Sequence, residues 1–327
     1  MSKKVISFVV VVILLLLVML YSMMTGSIKV GFFQLVAGLI TGDDDKVAVI
    51  RDLRFPRLIV SMFVGATLAV SGVLLQAVMR NPLAEAGVIG ISSGAGLISL
   101  LFVTAFPTLF FWLPFFSFIG GAIACLIVYS FSWKSGLSPI RLVLVGMAVN
   151  ATFTGLSQSF NYRGSYAVSG INQATTSIFT LQTWSSVQVV VLYGGIGLLL
   201  SLLLSSWCNL LVMQDKTVKN LGLSVTRARL LISIVAVALA AVATAIGGMI
   251  AFVGLLIPHI ARQLVGSDHR VLIPFSALAG ALLILIADTL GRTIVAPVEI
   301  PASIIMTVIG GPFLIFLLRK SGRIYGS

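Results

Sequence analysis

The sequence predicts an all-α membrane protein with about ten transmembrane helices, and three observations support this. Apolar residues make up 59% of the 327 residues. Charged residues make up only 9%, whereas a soluble domain carries roughly a quarter, so the expected solvent of this chain is lipid. Charges also separate apolar runs of about twenty residues, the length that crosses ~30 Å of hydrocarbon as a helix.

Six apolar runs are clear candidates for single helices. The first, at residues 5–24, follows Lys3 and Lys4 and has the layout of a secretory signal. It is long for the apolar part of a signal and no small-residue cleavage site follows it, so we expect a retained first helix. The other five cover residues 58–79, 142–162, 187–207, 271–287 and 300–318.

The uncharged stretch at residues 86–133 is too long for one crossing. Proline disfavours the interior of a helix. Pro107 and Pro114 therefore predict a break, with helices near 89–106 and 110–132.

A second stretch without Lys, Arg, Asp or Glu covers residues 230–261. As a single helix it would be about 48 Å long, too long for one untilted crossing. Gly247, Gly248 and Pro258 predict its division into a full helix and a short helix near 251–265.

The third long stretch, residues 164–214, holds one strongly apolar span. Its first half is too polar to face lipid, so we expect a surface or re-entrant segment with a short amphipathic helix. The polar residues there are Ser165, Ser169, Asn172, Gln173, Thr175, Thr176 and Ser177. The predicted total is then about ten spans.

The distribution of basic residues predicts the orientation. With the N-terminus in the cytoplasm, ten spans place fourteen of the 21 Lys and Arg residues inside and seven outside. The opposite orientation inverts this ratio and violates the positive-inside rule, so we expect both termini in the cytoplasm. Basic cytoplasmic loops also explain the net charge of +12 without a nucleic-acid partner, for which the chain has no motif.

A basic cluster on the predicted outer face runs against this local rule. Arg51, Arg54 and Arg57 lie together at the beginning of the second span. Two explanations stay open from the pattern alone. The arginines dock an acidic partner, or acids in the same loop neutralise them, namely Asp43, Asp44, Asp45 and Asp52.

The largest predicted cytoplasmic loop covers residues 208–229. Asp215 is suited to begin a short helix and Gly222 to end it, and Ser224 is suited to cap a second helix that continues through Arg227 into the next span. Leu221 and Leu223 would then lie between basic residues, as on a surface that binds another protein. A solvated connector is the alternative.

The sequence offers no catalytic, cofactor or metal site. It has no G-x-x-x-x-G-K-[ST] motif and hence no ATPase of its own. Asp288 is the only acid that the pattern places close to an apolar span, which argues against an ion-coupled secondary carrier or a channel. An intramembrane enzyme built on His259 and Asp288 is weaker still, because these residues fall toward opposite faces.

Eight sequence blocks together resemble a known family. They are R-F-P-R at 54–57, S-G-V-L-L-Q-A-V-M-R-N-P-L-A at 71–84, G-I-S-S-G-A at 90–95, L-G-L at 221–223, G-L-L-I-P-H-I-A-R at 254–262, D-H-R-V-L-I-P at 268–274, A-D-T-L-G-R at 287–292 and E-I-P at 299–301. Their order and spacing resemble the permeases of iron–siderophore, haem and vitamin B12 ATP-binding-cassette importers, often called the FecCD family. One departure is Ala86, where members of the family commonly have proline.

The resemblance implies one permease domain over residues 1–327, with a bundle like that of the vitamin B12 importer permease, a type II importer. It also implies partners: a second permease copy or a paralogue, two ATPase subunits and an extracytoplasmic substrate-binding protein, all assembled at the plasma or inner membrane. A ferric siderophore is the expected cargo, and haem and cobalamin are alternatives. ATP hydrolysis is expected on a separate chain.

The resemblance also implies roles for particular residues. Arg54, Arg57 and Arg292 would dock the binding protein, and residues 164–186 would form an outer gate. The loop 208–229 would couple the chain to the ATPase, through Asp215, Lys216, Lys219, Leu221, Gly222, Leu223 and Arg227.

Overall fold

The computed structural model describes residues 3–25, 31–41, 44–133, 139–163, 179–180, 182–213, 217–218 and 224–325. Within these ranges the chain forms helices and turns and no β-strand, which confirms the all-α prediction. The helices are α1 (Lys3–Met24), α2 (Phe32–Thr41), α3 (Asp45–Met79), α4 (Ile91–Ala105), α5 (Leu113–Trp133), α6 (Pro139–Arg163), α7 (Trp184–Val189), α8 (Gly195–Leu203), α9 (Ser205–Leu211), α10 (Val225–Gly247), α11 (Val253–Val265), α12 (His269–Thr293) and α13 (Ala302–Tyr325). A 3₁₀ turn leads into α5, and a π-helical turn joins α7 to α8.

Six helical segments of the described chain are long and apolar enough to cross a membrane. They are Lys3–Met24, Lys46–Met79, Pro107–Phe131, Trp184–Leu203, Val225–Gly247 and His269–Thr293. Three shorter apolar helices lie at Ile91–Ala105, Val253–Val265 and Ala302–Phe316. The chain is therefore a membrane protein. The count of ten crossings stays a prediction, because it needs these three helices and α6 to cross as well.

Helix α3 begins well before the predicted span at residues 58–79. Asp44 caps its first turn by accepting hydrogen bonds from the backbone N–H groups of Lys46 and Val47, at 2.9 and 3.4 Å. A capping carboxylate satisfies N–H groups that have no partner inside the helix. The arginines that the sequence placed at the entrance to the span therefore lie on α3 itself. The sequence also did not predict α2, whose ten residues reach only about 15 Å.

The predicted break in the uncharged stretch at residues 230–261 lies where two residues adopt positive φ angles. Helix α10 ends at Gly247, Gly248 has φ 74°, and Phe252, the residue before α11, has φ 70°. A Gly adopts this conformation at little cost. The predicted full helix followed by a short one is thus confirmed.

Pro258 does not mark this break, contrary to the prediction, and lies inside α11. A proline has no N–H group, so in a helix it leaves the carbonyl four residues earlier without its usual partner. That carbonyl belongs to Gly254, and it accepts a hydrogen bond of 3.0 Å from the side-chain amide of Gln76 on α3. The cross-helix bond from Gln76 therefore lets the helix tolerate Pro258.

Helix α3 is the centre of the bundle and packs along α10, α11 and α12. Glycines allow two of these approaches. A Cβ atom on Gly72 would lie 2.0 Å from the carbonyl oxygen of Gly254 on α11, and one on Gly65 would lie 2.1 Å from that of Gly280 on α12. Such backbone contacts between helices are typical of small residues in membrane proteins.

Candidate functional site

A charged cluster of four side chains lies where α3, α12 and the segment before α13 meet. We define this charged cluster as Arg57, Asp288, Arg292 and Glu299. Arg57 donates from Nη2 to Asp288 Oδ1 at 2.7 Å and from Nε to Asp288 Oδ2 at 2.9 Å. Its Nη1 donates to Glu299 Oε2 at 3.0 Å. The side chains of Arg57 and Asp288 are only 10% and 3% exposed, so this ion pair is buried.

Arg292 joins the cluster from the same helix as Asp288, one turn later. Its Nε lies 3.7 Å from Asp288 Oδ2. Its Nη2 donates to the carbonyl of Ser22 at 2.8 Å and to the Ser22 hydroxyl, and its Nη1 donates to the carbonyl of Thr25 at 3.3 Å. Arg292 thereby ties α12 to the end of α1.

Arg54 reaches the same end of α1 from α3. Its Nη1 donates to the carbonyl of Met23 at 2.6 Å, next to the residue that binds Arg292. The structure therefore brings the three predicted docking residues to one corner of the bundle. Arg57 and Arg292 point inward there, and Arg54 is half-buried.

The described acids of the loop before Arg57 contact other groups, and Arg57 binds acids from elsewhere in the chain. Asp52 binds Arg51 on the surface, with Oδ1 3.2 Å from Nε, and Asp44 caps α3. Asp43 and the side chain of Asp45 lie outside the part of the chain that the structure describes. Local neutralisation is thus found for Arg51, whereas Arg57 is neutralised by Asp288 and Glu299, from the far end of the sequence.

Glu299 also binds the end of the predicted gate at residues 164–186. It accepts a hydrogen bond from the Thr180 hydroxyl. Burial alone would raise the pKa of Glu299, but this bond and the charge of Arg57 outweigh it and lower the pKa below its ordinary value. Residues 164–178 of the gate lie outside the described residues, and the beginning is thus not described.

The described end of the predicted gate is anchored on α10. Phe179 is fully buried, and Gln182 Nε2 donates to the carbonyl of Ile246 at 3.0 Å near the end of α10. Thr183 and Ser186 then form a capping box that begins α7. This end of the predicted gate thus contacts both α10, through Gln182, and the charged cluster, through Thr180.

Most of the predicted coupling residues lie outside the described residues. These are Asp215, Lys216, Lys219, Leu221, Gly222 and Leu223. Arg227 is described and is exposed in the first turn of α10. Ser224 occupies the predicted cap position without a side-chain hydrogen bond.

The beginning of the predicted coupling loop is held by the opposite end of α3. Arg80 donates from Nε to the carbonyl of Leu211 at 2.7 Å and from Nη2 to the carbonyl of Met213. Sequence reasoning gave Arg80 no role. In the structure it follows the last residue of α3 and has a positive φ of 48°, so the chain leaves the helix there. A force on the loop would therefore reach α3 directly.

The same region is tied to the beginning of α12 through Asn209. Its amide donates to Asp268 Oδ1 at 2.7 Å, and its carbonyl oxygen accepts from the backbone N–H of His269 at 2.9 Å. The bond from Asn209, together with the Arg270 N–H, lowers the pKa of Asp268. These contacts give His269 a structural role.

A second buried acid, Glu85, was not predicted. It is 3% exposed and accepts a hydrogen bond of 3.1 Å from the backbone N–H of Phe252, at the break before α11. Asp288 is therefore not the only acid that packs among the apolar spans. Glu85 also lines a cavity of about 720 Å³ between the segment before α4, α6 and the break.

Comparison with known proteins gives a consistent result. The model of the FecCD transport family matches residues 14–320. A protein named "Probable heme-iron transport system permease protein IsdF", from Staphylococcus aureus strains MSSA476 and Newman, is 42% identical over 302 residues, which are 92% of either chain.

Two solved structures share the fold. An inward-facing structure described as a metal-chelate type ABC transporter has a TM-score of 0.81 and 30% identity, and it covers 96% of this chain and 99% of its own. PsaBC from Streptococcus pneumoniae, in complex with Fab, has a TM-score of 0.60 and 14% identity over 88% of this chain and 95% of its own. At this identity PsaBC shows the fold alone.

The family model and the relatives agree with the sequence blocks and confirm the family that those blocks predicted. The chain belongs to the FecCD transport family, as a permease of ATP-binding-cassette importers.

Proposed function

We propose that this permease imports an iron chelate, with haem iron as the first candidate for its cargo. One observation carries the choice of haem: the 42% identity to a permease named for haem-iron transport, over 92% of both chains. The identity extends along nearly the whole length, so it includes the helices along which a cargo would pass.

A ferric siderophore is the second candidate. It was the expectation from the sequence blocks, and the 30% identity to a metal-chelate type transporter favours a chelate in general. Both cargoes would arrive on a binding protein and leave on the cytoplasmic side.

We propose ten crossings with both termini in the cytoplasm, in a single permease domain over residues 1–327. The six long apolar segments, the three shorter ones and α6 supply ten candidates at the expected positions, and the basic residues favour this orientation.

Labelling of introduced cysteines tests this topology. The variants Lys3→Cys and Thr217→Cys are made in a chain whose two native cysteines, both buried, are replaced by alanine. A reagent that does not cross the membrane is added to one side of sealed vesicles. We expect both positions to react only from the cytoplasmic side, and labelling of Thr217→Cys from outside would contradict the topology.

The partners are proposed from the family. Two permease chains, either two copies or this chain with a paralogue, would sit on two ATPase subunits, and the loop 208–229 would seat in them. ATP binding would close the ATPases and rock the bundle between outward-facing and inward-facing states. The contacts of Arg80 and Asn209 support this role, because they join the loop to α3 and α12.

Docking of the binding protein is proposed at Arg54, Arg57 and Arg292. Arg57 and Arg292 already contact Asp288. Carboxylates of the binding protein must therefore exchange with Asp288 and Glu299 to reach them, whereas Arg54 is half-buried and lies nearer the surface. Exchange of one ion pair for another keeps the charges balanced and avoids leaving a buried charge uncompensated.

The experiment that tests the cargo is uptake by proteoliposomes that hold the complete transporter with its own binding protein. If haem is the cargo, we expect ATP-dependent uptake of haem iron. If the second candidate is the cargo, we expect ATP-dependent uptake of a ferric siderophore instead. Uptake of the siderophore alone would replace haem by the second candidate. Transport by this chain alone without ATP would contradict the importer and support a secondary carrier.

A further inference from the structure

We infer that the groove between α5 and α10 binds one anionic phospholipid. The groove has a volume of about 510 Å³. Its floor is apolar and includes Ala122, Cys125 and Val237, and its rims are formed by Leu126 on α5 and Leu230 on α10. Leu126 and Leu230 are 64% and 58% exposed, so the groove opens toward lipid.

The polar groups of the groove are gathered near one end. Arg229, in the second turn of α10, contributes a positive charge, and four hydroxyl groups surround the groove there, from Tyr129, Ser130, Thr226 and Ser233. Tyr129 Oη lies 3.4 Å from Ser233 Oγ, which joins α5 to α10. Arg229 and the hydroxyls of Tyr129, Thr226 and Ser233 match a phosphodiester, because an Arg supplies charge and forked donors and hydroxyl groups supply further donors. The Ser130 hydroxyl donates to the carbonyl of Leu126 at 2.7 Å and only lines the groove.

The apolar part of the groove has the length of an acyl segment. From Arg229 to Val237 the helix rises about 12 Å. A lipid bound with its phosphate at Arg229 would lay an acyl chain on Ala122 and Cys125, between Leu126 and Leu230. A helix of a partner protein is the alternative occupant, but it would not need a positive charge at one end and an apolar floor beyond it.

The leaflet that holds the proposed lipid is inferred from the proposed topology, and this step rests on that topology. Arg229 is the last residue of the predicted cytoplasmic loop 208–229, so the charged end of the groove faces the cytoplasm. The cytoplasmic leaflet carries the anionic lipids that basic pockets between transmembrane helices bind. The lipid would thus lie next to the element that couples the chain to its ATPase.

The test uses the full-length chain in nanodiscs of phosphatidylcholine with a minor fraction of phosphatidylglycerol. Native mass spectrometry then measures which lipid leaves with the protein. We expect phosphatidylglycerol to be retained about fivefold over its share, since one basic residue near a membrane surface gives an anionic lipid roughly this advantage. Equal retention of the two lipids would overturn the inference.

Variants locate the bound lipid. Arg229→Gln should bring the enrichment of phosphatidylglycerol close to one, and Arg229→Lys should keep most of it. Arg227→Gln is the matched control, because Arg227 is exposed two positions earlier on α10 and points to another side. Ala122→Phe fills the floor and should reduce retention of both lipids. Unchanged enrichment in Arg229→Gln, or loss in Arg227→Gln alone, would overturn the inference.

Discussion

The guanidinium of Arg57 on α3 binds the carboxylate of Asp288 on α12 across 231 positions of sequence, with Nη2 2.7 Å from Oδ1. Together with Arg292 and Glu299 it forms a cluster of two basic and two acidic groups, so the charges balance. Removal of one partner of a buried pair leaves an uncompensated charge, which costs about 3–5 kcal/mol, whereas removal of both is often tolerated. The balanced charges of the cluster therefore hold α3, α12 and the segment before α13 together.

We therefore expect Arg57→Met and Asp288→Leu each to lower the free energy of unfolding by roughly 3 kcal/mol. The double variant should lose less than the sum of the two, because Arg292 and Glu299 then balance each other. Thermal unfolding of the protein in detergent measures this. Additive losses would show that the pair is not coupled.

Docking is tested by charge reversal at Arg54 and Arg57. Arg54→Glu should weaken binding of the binding protein and change the salt dependence of its association, because long-range charge steers encounter. Adding Arg57→Glu should weaken it further. Surface plasmon resonance with the permease in nanodiscs measures the affinity.

Arg51→Glu is the matched control for docking, since Arg51 is 57% exposed and pairs with the adjacent Asp52. The affinity of the Arg51→Glu variant for the binding protein should stay near that of the unaltered permease. If Arg54→Glu binds as tightly as Arg51→Glu at low and high salt, the docking role of Arg54 is wrong.

The sequence predicted the apolar helices well because the physical signal is local. Apolar runs bounded by charges gave the helices, and the break at Gly248 follows from the length that a crossing allows and from the freedom of glycine. The start of α3 was missed, since the helix begins at Asp45, within a polar stretch without the apolar pattern. The short helix α2 was missed as well.

The partners inside the candidate site depend on contacts far apart in sequence. Glu299 lies 242 positions from Arg57, and Gln76 supports the helix around Pro258 from another helix. Periodicity along one helix contains no information about which residues of another helix will face it. The sequence blocks around Glu299 marked the residue as part of the family pattern but did not give it a partner.

Close helix packing is tested at Gly72. A Cβ atom there would lie 2.0 Å from the Gly254 carbonyl oxygen, so Gly72→Ala must push α3 away from α11. Overpacking costs about 1–3 kcal/mol. We expect a lower unfolding temperature and reduced yield of folded protein by size-exclusion chromatography. Gly195→Ala is the control, because a Cβ there meets nothing within 4 Å, and an equal effect of both variants would refute the packing argument.

Coupling is tested in the loop 208–229. Replacement of Leu221 and Gly222 by bulky charged residues should leave ATP hydrolysis by the complete transporter but reduce uptake, because the loop would no longer transmit the movement. Uptake and hydrolysis are measured in the same proteoliposomes. Lys3→Glu, on the same proposed face but outside the loop, should change neither. Normal uptake per ATP in the Leu221-Gly222 variant would refute the loop assignment.

The ion pair of Glu299 should depend on pH. Although burial opposes it, Thr180 and Arg57 hold the pKa of Glu299 below its ordinary value of 4.5. A carboxylate whose pKa is lower in the folded state stabilises that state fully above its ordinary pKa and loses this effect as the pH falls through the lowered pKa.

Glu299→Gln removes the charge at every pH. The difference in unfolding temperature between the unaltered protein and Glu299→Gln should therefore be constant at pH values above the ordinary pKa of 4.5 and shrink as the pH falls below it. Asp52→Asn provides the control, since its exposed pair with Arg51 contributes little at any pH. A difference that persists undiminished in acid would mean that Glu299 acts through shape and hydrogen bonding rather than through its charge, so the cluster would not hold α13 to α3 electrostatically.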